Sequence, residues 1–494
     1  MGGNIKNMIR KQDFRKINDY LWEIPKTFRK DMRVPARIYV SERMLEDVFR
    51  DRSLEQLVNL TALPGIQRYG LAMPDIHEGY ASPIGGVAAI RMSDGVISPG
   101  VCGYDINCGM KLLKSDYSEK DLRPYLENLA TEIQREVPSG LGRGRQIKLS
   151  ITEIDRILEG GARKIVEQGY GQKEDLENCE AQGRLEWAEA SSVSPHAKNR
   201  GRDQVGTLGS GNHFLEIQRV AEIFDKEASE VFGLFPNQIV IMIHTGSRGL
   251  GHQIATDYLR LMIPAMQRYK IKVPDREFAC VPFNSPEGQK YFAAMACGAN
   301  YAWANRQMIA HYIRKAWKKV LGEKARPLIP LYDVAHNIIK KEKYKITMSN
   351  KRQTTETDVI VHRKGATRAF PPGSSEIPEK YRPVGQPVLI PGSMGTASYI
   401  LGGTKEGEEA FFSTCHGAGR RMSRHAAMRN ISGQEVVRRL ETKGIIIKCW
   451  SLRGIAEEAP LAYKDVEQVV NVVHQAELSK KVAKLTPLAV IKGE

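Results

Sequence analysis

Six short apolar runs, most of them β-branched, constrain this chain more than any other feature: Val87 to Ile90, Ile239 to Ile243, Leu328 to Leu331, Val359 to Val361, Val388 to Ile390 and Glu409 to Phe412. Short runs of this kind predict buried strands, because a strand covered on both faces shows no polar alternation. All but the first lead within a few residues into a histidine, a glycine-rich turn or both: His244-Thr-Gly-Ser-Arg, Asp333-Val-Ala-His336, His362-Arg-Lys-Gly, Pro391-Gly-Ser-Met-Gly and Cys415-His416-Gly-Ala-Gly-Arg. A sheet fixes a side chain at a strand end while the following loop leaves it accessible, so functional groups are expected there.

Helical patterns lie between these runs. Ser118 and Asp121 have capping-box spacing, and Leu122, Leu126, Leu129 and Ile133 recur at helical intervals. Ser285-Pro286-Glu287 predicts an N-cap followed by proline at the first helical position, and residues 285–321 keep helical character. A length of 494 residues suggests about three domains. The residues singled out below lie hundreds of positions apart, which favours one interwoven catalytic unit over a string of modules.

Lys and Arg outnumber Asp and Glu by 73 to 57, a formal charge of +16. That balance favours polyanionic partners, and it equally describes a well-solvated basic surface. Seven cysteines without a C-x-x-C pair give neither a disulfide framework nor a zinc ribbon. The first residues carry charge and lack the apolar stretch of a signal peptide, and Lys6 stands where a myristoylation motif at Gly2 needs Ser or Thr. With no run apolar enough to span a bilayer, the expectation is a soluble, cytoplasmic protein.

Asp105 and Cys108 sit three positions apart in a glycine-rich segment and can reach one metal or two adjacent ones. A buried cysteine is as readily a small hydrophobe. His213, His244 and His336 enlarge the set to mixed N, O and S donors, which suits a transition metal such as manganese or zinc better than an all-oxygen cage. His416 lies between Cys415 and Gly417-Ala-Gly-Arg, with Arg420, Arg421 and Arg424 close behind. That composition is an anion site, in which His416 either attacks phosphorus or only hydrogen-bonds a phosphate. Cys415, beside the same cations, is a weaker nucleophile candidate because no acyl substrate or base is indicated.

Asp75-Ile-His-Glu-Gly, Ser98-Pro-Gly-Val-Cys-Gly-Tyr-Asp-Ile-Asn-Cys-Gly, Gly206-Thr-Leu-Gly-Ser-Gly-Asn-His-Phe, His244-Thr-Gly-Ser-Arg-Gly, Pro391-Gly-Ser-Met-Gly-Thr and Cys415-His-Gly-Ala-Gly-Arg resemble the signature segments of the RtcB-type RNA-splicing ligases, in the expected order. The resemblance implies a single compact α+β domain over residues 1–494, with mixed sheets and helices around a central metal and GTP cleft. It implies joining of RNA 2′,3′-cyclic phosphate or 3′-phosphate ends to 5′-hydroxyl ends, in tRNA splicing or RNA repair. Asp105, Cys108, His213, His244 and His336 would hold two manganese ions, with Cys108 bridging, and His416 would be guanylylated. Asn212, Glu216, Asn337, Pro391, Gly392, Ser393, Met394, Ser398, Gly417, Ala418, Gly419, Tyr463 and Lys492 would surround GTP. Arg200, Arg248 and Arg420 would contact RNA phosphate, Arg200 from a loop that also offers Arg202. The family further implies RNA as partner, an archease-type activator, and action as a monomer.

Three rival readings remain. A lysyl-nucleotidyl ligase needs Lys-x-Asp-Gly, and the nearest approach has Met92 in place of the lysine. A metal-dependent RNA phosphodiesterase would use the same donors but leaves the His416 loop without a purpose. A non-catalytic RNA-binding protein accounts for the charge, but aromatic residues are only 7%, and such a protein has no use for the donor set.

Overall fold

In the computed structural model, which describes residues 9–139, 148–347 and 354–493, the predicted strands assemble into two mixed-length sheets among helices, an α+β arrangement. The stretch around Gly2 lies outside the described residues. An eight-stranded sheet includes, in spatial order, Ile329–Ala335, Gly109–Ser118, Gln238–Thr245, Phe214–Ile223, Ser479–Lys492, Ser398–Gly403 and Pro387–Ile390, all antiparallel, with Ile446–Lys448 added parallel to Ser479–Lys492. A seven-stranded sheet runs Arg15–Lys16, Leu21–Ile24, Ala36–Tyr39, Ile66–His77, Ile84–Arg91, Thr354–Lys364 and Asn337–Thr347.

The absence of polar alternation is explained by burial on both faces. In Gln238–Thr245, Ile239, Ile241 and Ile243 face a core with Leu129, Ile133, Ile313 and Trp317, while Val240 and Met242 face another with Phe232 and Tyr332. Successive side chains point to opposite sides, so one unbroken apolar run serves two cores.

The predicted long helix is Pro286–Leu321, 36 residues, with Ser285 Oγ accepting from the backbone N–H of Gly288 at 3.1 Å and Pro286 in its first turn. At 1.5 Å per residue it is about 54 Å long. Residues 291–310 of it are buried on every side, which suits the apolar composition of that stretch. Two other elements differ from expectation. The Ser118 helix is interrupted after Leu122, because Pro124 turns Arg123–Tyr125 into a 3-10 segment before helix resumes at Leu126. Glu409 to Phe412 is not a strand: Glu406–Ala410 is a 3-10 turn, and Phe411 and Phe412 follow with φ of 52° and 45°. Both rings are spent on aromatic packing, Phe411 against Tyr344 and Phe412 against Phe370. The strand begins only at Ser413.

The register explains where the site lies. Ala335 faces Gly109, Gly109 faces Thr245, His244 faces Phe214, and Phe214 faces Lys492. Five neighbouring strands therefore begin or end at one edge of the eight-stranded sheet. His336 is the single residue at which the chain passes from that sheet to the other, into Asn337–Thr347. In the second sheet Asn337 faces Lys364, Lys364 faces Gly86, and Ile84 faces His77, so its corresponding edge meets the first.

Candidate active site

The Asp105–Cys108 loop precedes the Gly109 strand and is clamped from the long helix. The fully buried Arg306 guanidinium donates to Asn107 O at 2.8 Å, Asn107 Oδ1 at 2.9 Å and Thr245 O at 2.9 Å, and pairs with Asp333 at 2.8 Å. Asn107 adopts φ of 53° within this clamp. Asn337 Nδ2 donates to Asp105 O at 3.0 Å, and its Oδ1 accepts from the Gly365 N–H at 2.8 Å. Loop, helix and both sheets are thereby fixed together.

Donor atoms of Cys108, His244 and His336 lie within 4.8 Å of one another, as do those of Asp105, Cys108 and His213, so Cys108 belongs to both groups. His213 Nε2 is 3.0 Å from Asp105 Oδ2 and 3.5 Å from Cys108 Sγ, and His244 Nε2 is 3.4 Å from the same sulfur. His244 Nδ1 donates to Asn212 O at 3.1 Å, which turns its other nitrogen toward the cluster. Gly246 is required here, because any Cβ would collide with the Asp105 carboxylate.

Burial lowers the pKa of all three histidines, keeping their imidazoles neutral. Burial and the neighbouring Asp105 push the Cys108 thiol well up. Asp105 itself is held below the usual carboxylate range, since contacts with His213 and Cys108 outweigh its desolvation. A half-buried carboxylate facing a buried thiolate is unfavourable alone and favourable around a divalent cation, which stabilises both anions at once. The donor set therefore fits one or two transition-metal ions.

His416 follows the Ser413–Cys415 strand, which pairs with Ala366–Arg368. Its Nδ1 is 2.5 Å from Oδ2 of the fully buried Asp75, at the end of the Ile66–His77 strand, and the same oxygen accepts from the backbone N–H groups of His416 (2.9 Å) and Gly417 (3.2 Å). Burial acts to raise Asp75, but the His416 contacts win and its carboxyl is held low. An imidazole whose Nδ1 faces a carboxylate leaves the Nε2 lone pair available for attack. Gly419, with φ of 74°, lies against the backbone carbonyl of Asp75, where a Cβ has no room. The His416 and His336 rings are 5.0 Å apart, and His77 lies 6.3 Å from His416 on another side.

These groups open on a cavity of about 380 Å³, within the ~300–1,000 Å³ range of small-molecule sites. Asp105, Cys108, Asn212, His244, His336, Asn337, Pro391 to Met394, His416 to Arg420, Tyr463 and Lys492 all line it. Lys492 Nζ donates to Gly211 O at 2.5 Å and His213 O at 2.8 Å, and burial lowers it to about 8. Other expected residues lie behind the wall. Ser398 Oγ accepts from the Gly392 N–H at 3.1 Å, and Gln218 joins it to Glu216 at 3.0 and 2.6 Å. Burial raises Glu216 to about 8.

The three expected arginines occupy unlike settings. Arg248 is half-buried, with its guanidinium 3.4 Å from His213 Nδ1. Arg420 pairs with Glu458 at 2.8 Å and stacks over Tyr463. Arg200 is exposed, and it lies on the short helix Pro195–Gly201 rather than in a loop, next to Gln253 at 3.0 Å.

Sequence reasoning gave no role to Asp75, Lys364 or Arg306. Asp75 and Lys364 stood in segments already quoted, each a charged residue near a strand end, Lys364 directly before Gly365. Arg306 was signalled by Asn305-Arg306-Gln307, a polar triplet inside an apolar helix.

The fold and site define a class: α+β proteins in which a shared-cysteine metal donor set and a carboxylate-held histidine open on one nucleotide-sized cavity. The family described as tRNA-splicing ligase RtcB matches residues 56–493, and the chain belongs to the RtcB family. It is 51% identical over 482 residues to the tRNA-splicing ligase RtcB of Archaeoglobus fulgidus, covering 97% of this chain and 98% of the relative. It is also 51% identical over 486 residues to that of Methanococcus maripaludis, covering 98% and 100%. The RNA-splicing ligase RtcB of Mycobacterium tuberculosis is 49% identical over 441 residues, covering 89% and 100%. Among the described residues no helix is long and apolar enough to cross a membrane.

Proposed function

We propose that this chain is an RNA ligase that joins 2′,3′-cyclic phosphate or 3′-phosphate ends to 5′-hydroxyl ends through a guanylate carried on His416, and so serves tRNA splicing or RNA repair. The observation that carries the reading is the Asp75–His416 pair, open to the same cavity as the Cys108 donor set with His336 between them. Asp105, Cys108, His213, His244 and His336 would hold two manganese ions. When bound there, manganese supplies Lewis-acid neutralisation of phosphate charge and activation of the water that opens a cyclic phosphate.

The chain's own residues account for the remaining work. Asp75 fixes Nδ1 of His416, so that Nε2 attacks the α-phosphorus of GTP; an N–P bond forms and pyrophosphate leaves. The guanylate then passes from Nε2 to the RNA 3′-phosphate, freeing the imidazole. Attack by the 5′-hydroxyl forms the phosphodiester and expels GMP. The Pro391 to Met394 and Gly417 to Gly419 turns hold the nucleotide, and Lys492 orders the Gly211–His213 carbonyls beside it. Glu216 and Ser398 support that wall from behind, with Tyr463 closing the side held by Arg420 and Glu458. Arg200 is the arginine with most freedom to meet RNA phosphate, while Arg248 backs His213.

One observation favours a second nucleophile. Lys364 lines the cavity, and burial lowers its ammonium to about 7. Its Nζ, however, donates to the carbonyls of Tyr80, Ser82 (2.9 Å) and Gly100 (3.2 Å), which uses all three N–H bonds and turns the nitrogen from the cavity. The test is incubation with labelled GTP and manganese, followed by denaturation and addition of RNA ends to a parallel sample. Acid-labile label on the chain and joined RNA are expected, both absent in His416→Ala. An adduct that survives His416→Ala contradicts the reading.

A further inference from the structure

Trp450 stands out because nothing in the proposed reaction uses it. It is 63% exposed, and Leu452 beside it is 43% exposed. The other four tryptophans are buried or half-buried: Trp22, Trp303 and Trp317 lie in cores, and Trp187 stacks on Phe292 at 5.1 Å. A large ring left mostly in water, with an exposed leucine two residues on, forgoes the gain of burial, and together they offer an apolar patch to an occupant.

Its surroundings indicate the chemistry of that occupant. The ring sits in a small helical unit, Arg424–Asn430, Gly433–Thr442 and Leu452–Glu457, built on Val436, Leu440, Ile445 and Ile455. Residues 421–453 carry eight Lys and Arg against two Glu. Among the described residues, Arg424, Arg438, Arg439 and Lys448 form ion pairs, while the exposed Arg421, Arg429, Lys443 and Arg453 form none. The loop holding Trp450 is fixed on both sides. Ile446–Lys448 pairs with the Ser479–Lys492 strand, and Ser451 Oγ caps the next helix at the N–H of Gly454. An aromatic face on a rigid mount amid free cations is the composition that stacks an unpaired base and tracks its backbone.

We propose that Trp450 is a stacking platform for one base of single-stranded RNA, with the unpaired cations of this helical unit holding the adjoining phosphates. The proposal rests on the RNA-ligase reading for its substrate and adds a contact outside the cavity. Geometry sets the spacing. Leu452 to Glu458, which lines the cavity, is six residues of helix, about 9 Å, and two further residues add at most roughly 7 Å. At about 3.4 Å per stacked nucleotide, that path spans at most roughly five nucleotides, so a 12-mer entering the cavity reaches Trp450.

The experiment titrates 5′-hydroxyl RNA of 3 and of 12 nucleotides into the full chain while following tryptophan emission. The 12-mer should quench emission, and Trp450→Phe should bind it within about threefold of wild type with the quenching lost. Trp450→Ala should weaken the 12-mer by about 5- to 100-fold, the worth of one base–aromatic stack, and leave the 3-mer unchanged. Its GTP-dependent labelling should equal wild type, since Trp450 lies outside the cavity. Unchanged 12-mer affinity in Trp450→Ala, or equal weakening of both lengths, overturns the platform. A wild-type chain that joins RNA with unaltered emission also sinks the platform while the ligase reading stands. Quenching without joining does the reverse.

Discussion

Two aspartate–histidine pairs reach the cavity, one through His416 and the other through Asp105, and they are built differently. Asp75 is fully buried; its Oδ2 touches Nδ1 of His416 and takes two backbone N–H groups, while its Oδ1 is buried with no hydrogen-bond partner among the described residues. Asp105 touches Nε2 of His213, keeps 28% of its side chain exposed, and lies beside Cys108 with its other oxygen only 3.4 Å from Ser247 Oγ. The first pair orients an imidazole and leaves its far nitrogen free. The second occupies the ring nitrogen that faces the cluster and leaves a carboxylate to meet a cation. In the proposed mechanism an identical residue pairing would serve positioning in one wall and ligation in the other, with the contacted ring nitrogen deciding which.

Substitutions can break this comparison. His416→Ala should abolish GTP-dependent labelling, because the acceptor nitrogen is gone, while bound manganese, measured by mass spectrometry, stays at the wild-type level. Asp75→Asn keeps the shape but loses the charge that fixes the tautomer, so labelling should slow by about 10²–10⁴-fold, again with metal retained. Cys108→Ala acts on the other wall: manganese affinity should fall by about 10²-fold or more, and labelling should fall with it. Equal metal loss in Asp75→Asn and Cys108→Ala would erase the distinction between the walls.

Two further changes sharpen it. Arg306→Met leaves the buried Asp333 with only Lys111 at 3.8 Å and the Asn107 loop without its clamp, and should cost about 3–5 kcal/mol in urea unfolding. The smallest effect concerns Glu216. Its carboxyl is raised from 4.5 to about 8 in the folded chain, so between those values the folded state keeps a proton that the unfolded state has lost. The resulting stability is full below pH 4.5 and is lost as pH rises through about 8. Glu216→Gln should therefore flatten the decline of melting temperature between pH 5 and 8; an unaltered slope contradicts the shift.

Much of this was legible in the sequence. The strands with no polar alternation announced a doubly covered sheet, and the histidines and glycine turns after them marked its functional edge. The Ser285-Pro286 start located the long helix because capping is local chemistry. Convergence was not legible: Cys108 and His336 meet only through the register of antiparallel neighbours, and Asp75 and His416 are brought together across 341 positions of chain. The Glu409 to Phe412 run misled because aromatic residues bury themselves from a turn as readily as from a strand. Asp75 carried no local signal of its partner, and the polar triplet around Arg306 marked an unusual helix position without showing what it clamps.

The central claim is that His416 Nε2 is the atom that carries guanylate, and the most direct measurement is the site of attachment. Protein labelled with GTP and manganese, digested at alkaline pH and sequenced by tandem mass spectrometry, should carry one guanylate on the peptide containing His416 and none elsewhere. Guanylate on Lys364 or Lys492, or a His416 peptide of unmodified mass in fully labelled protein, would contradict the account.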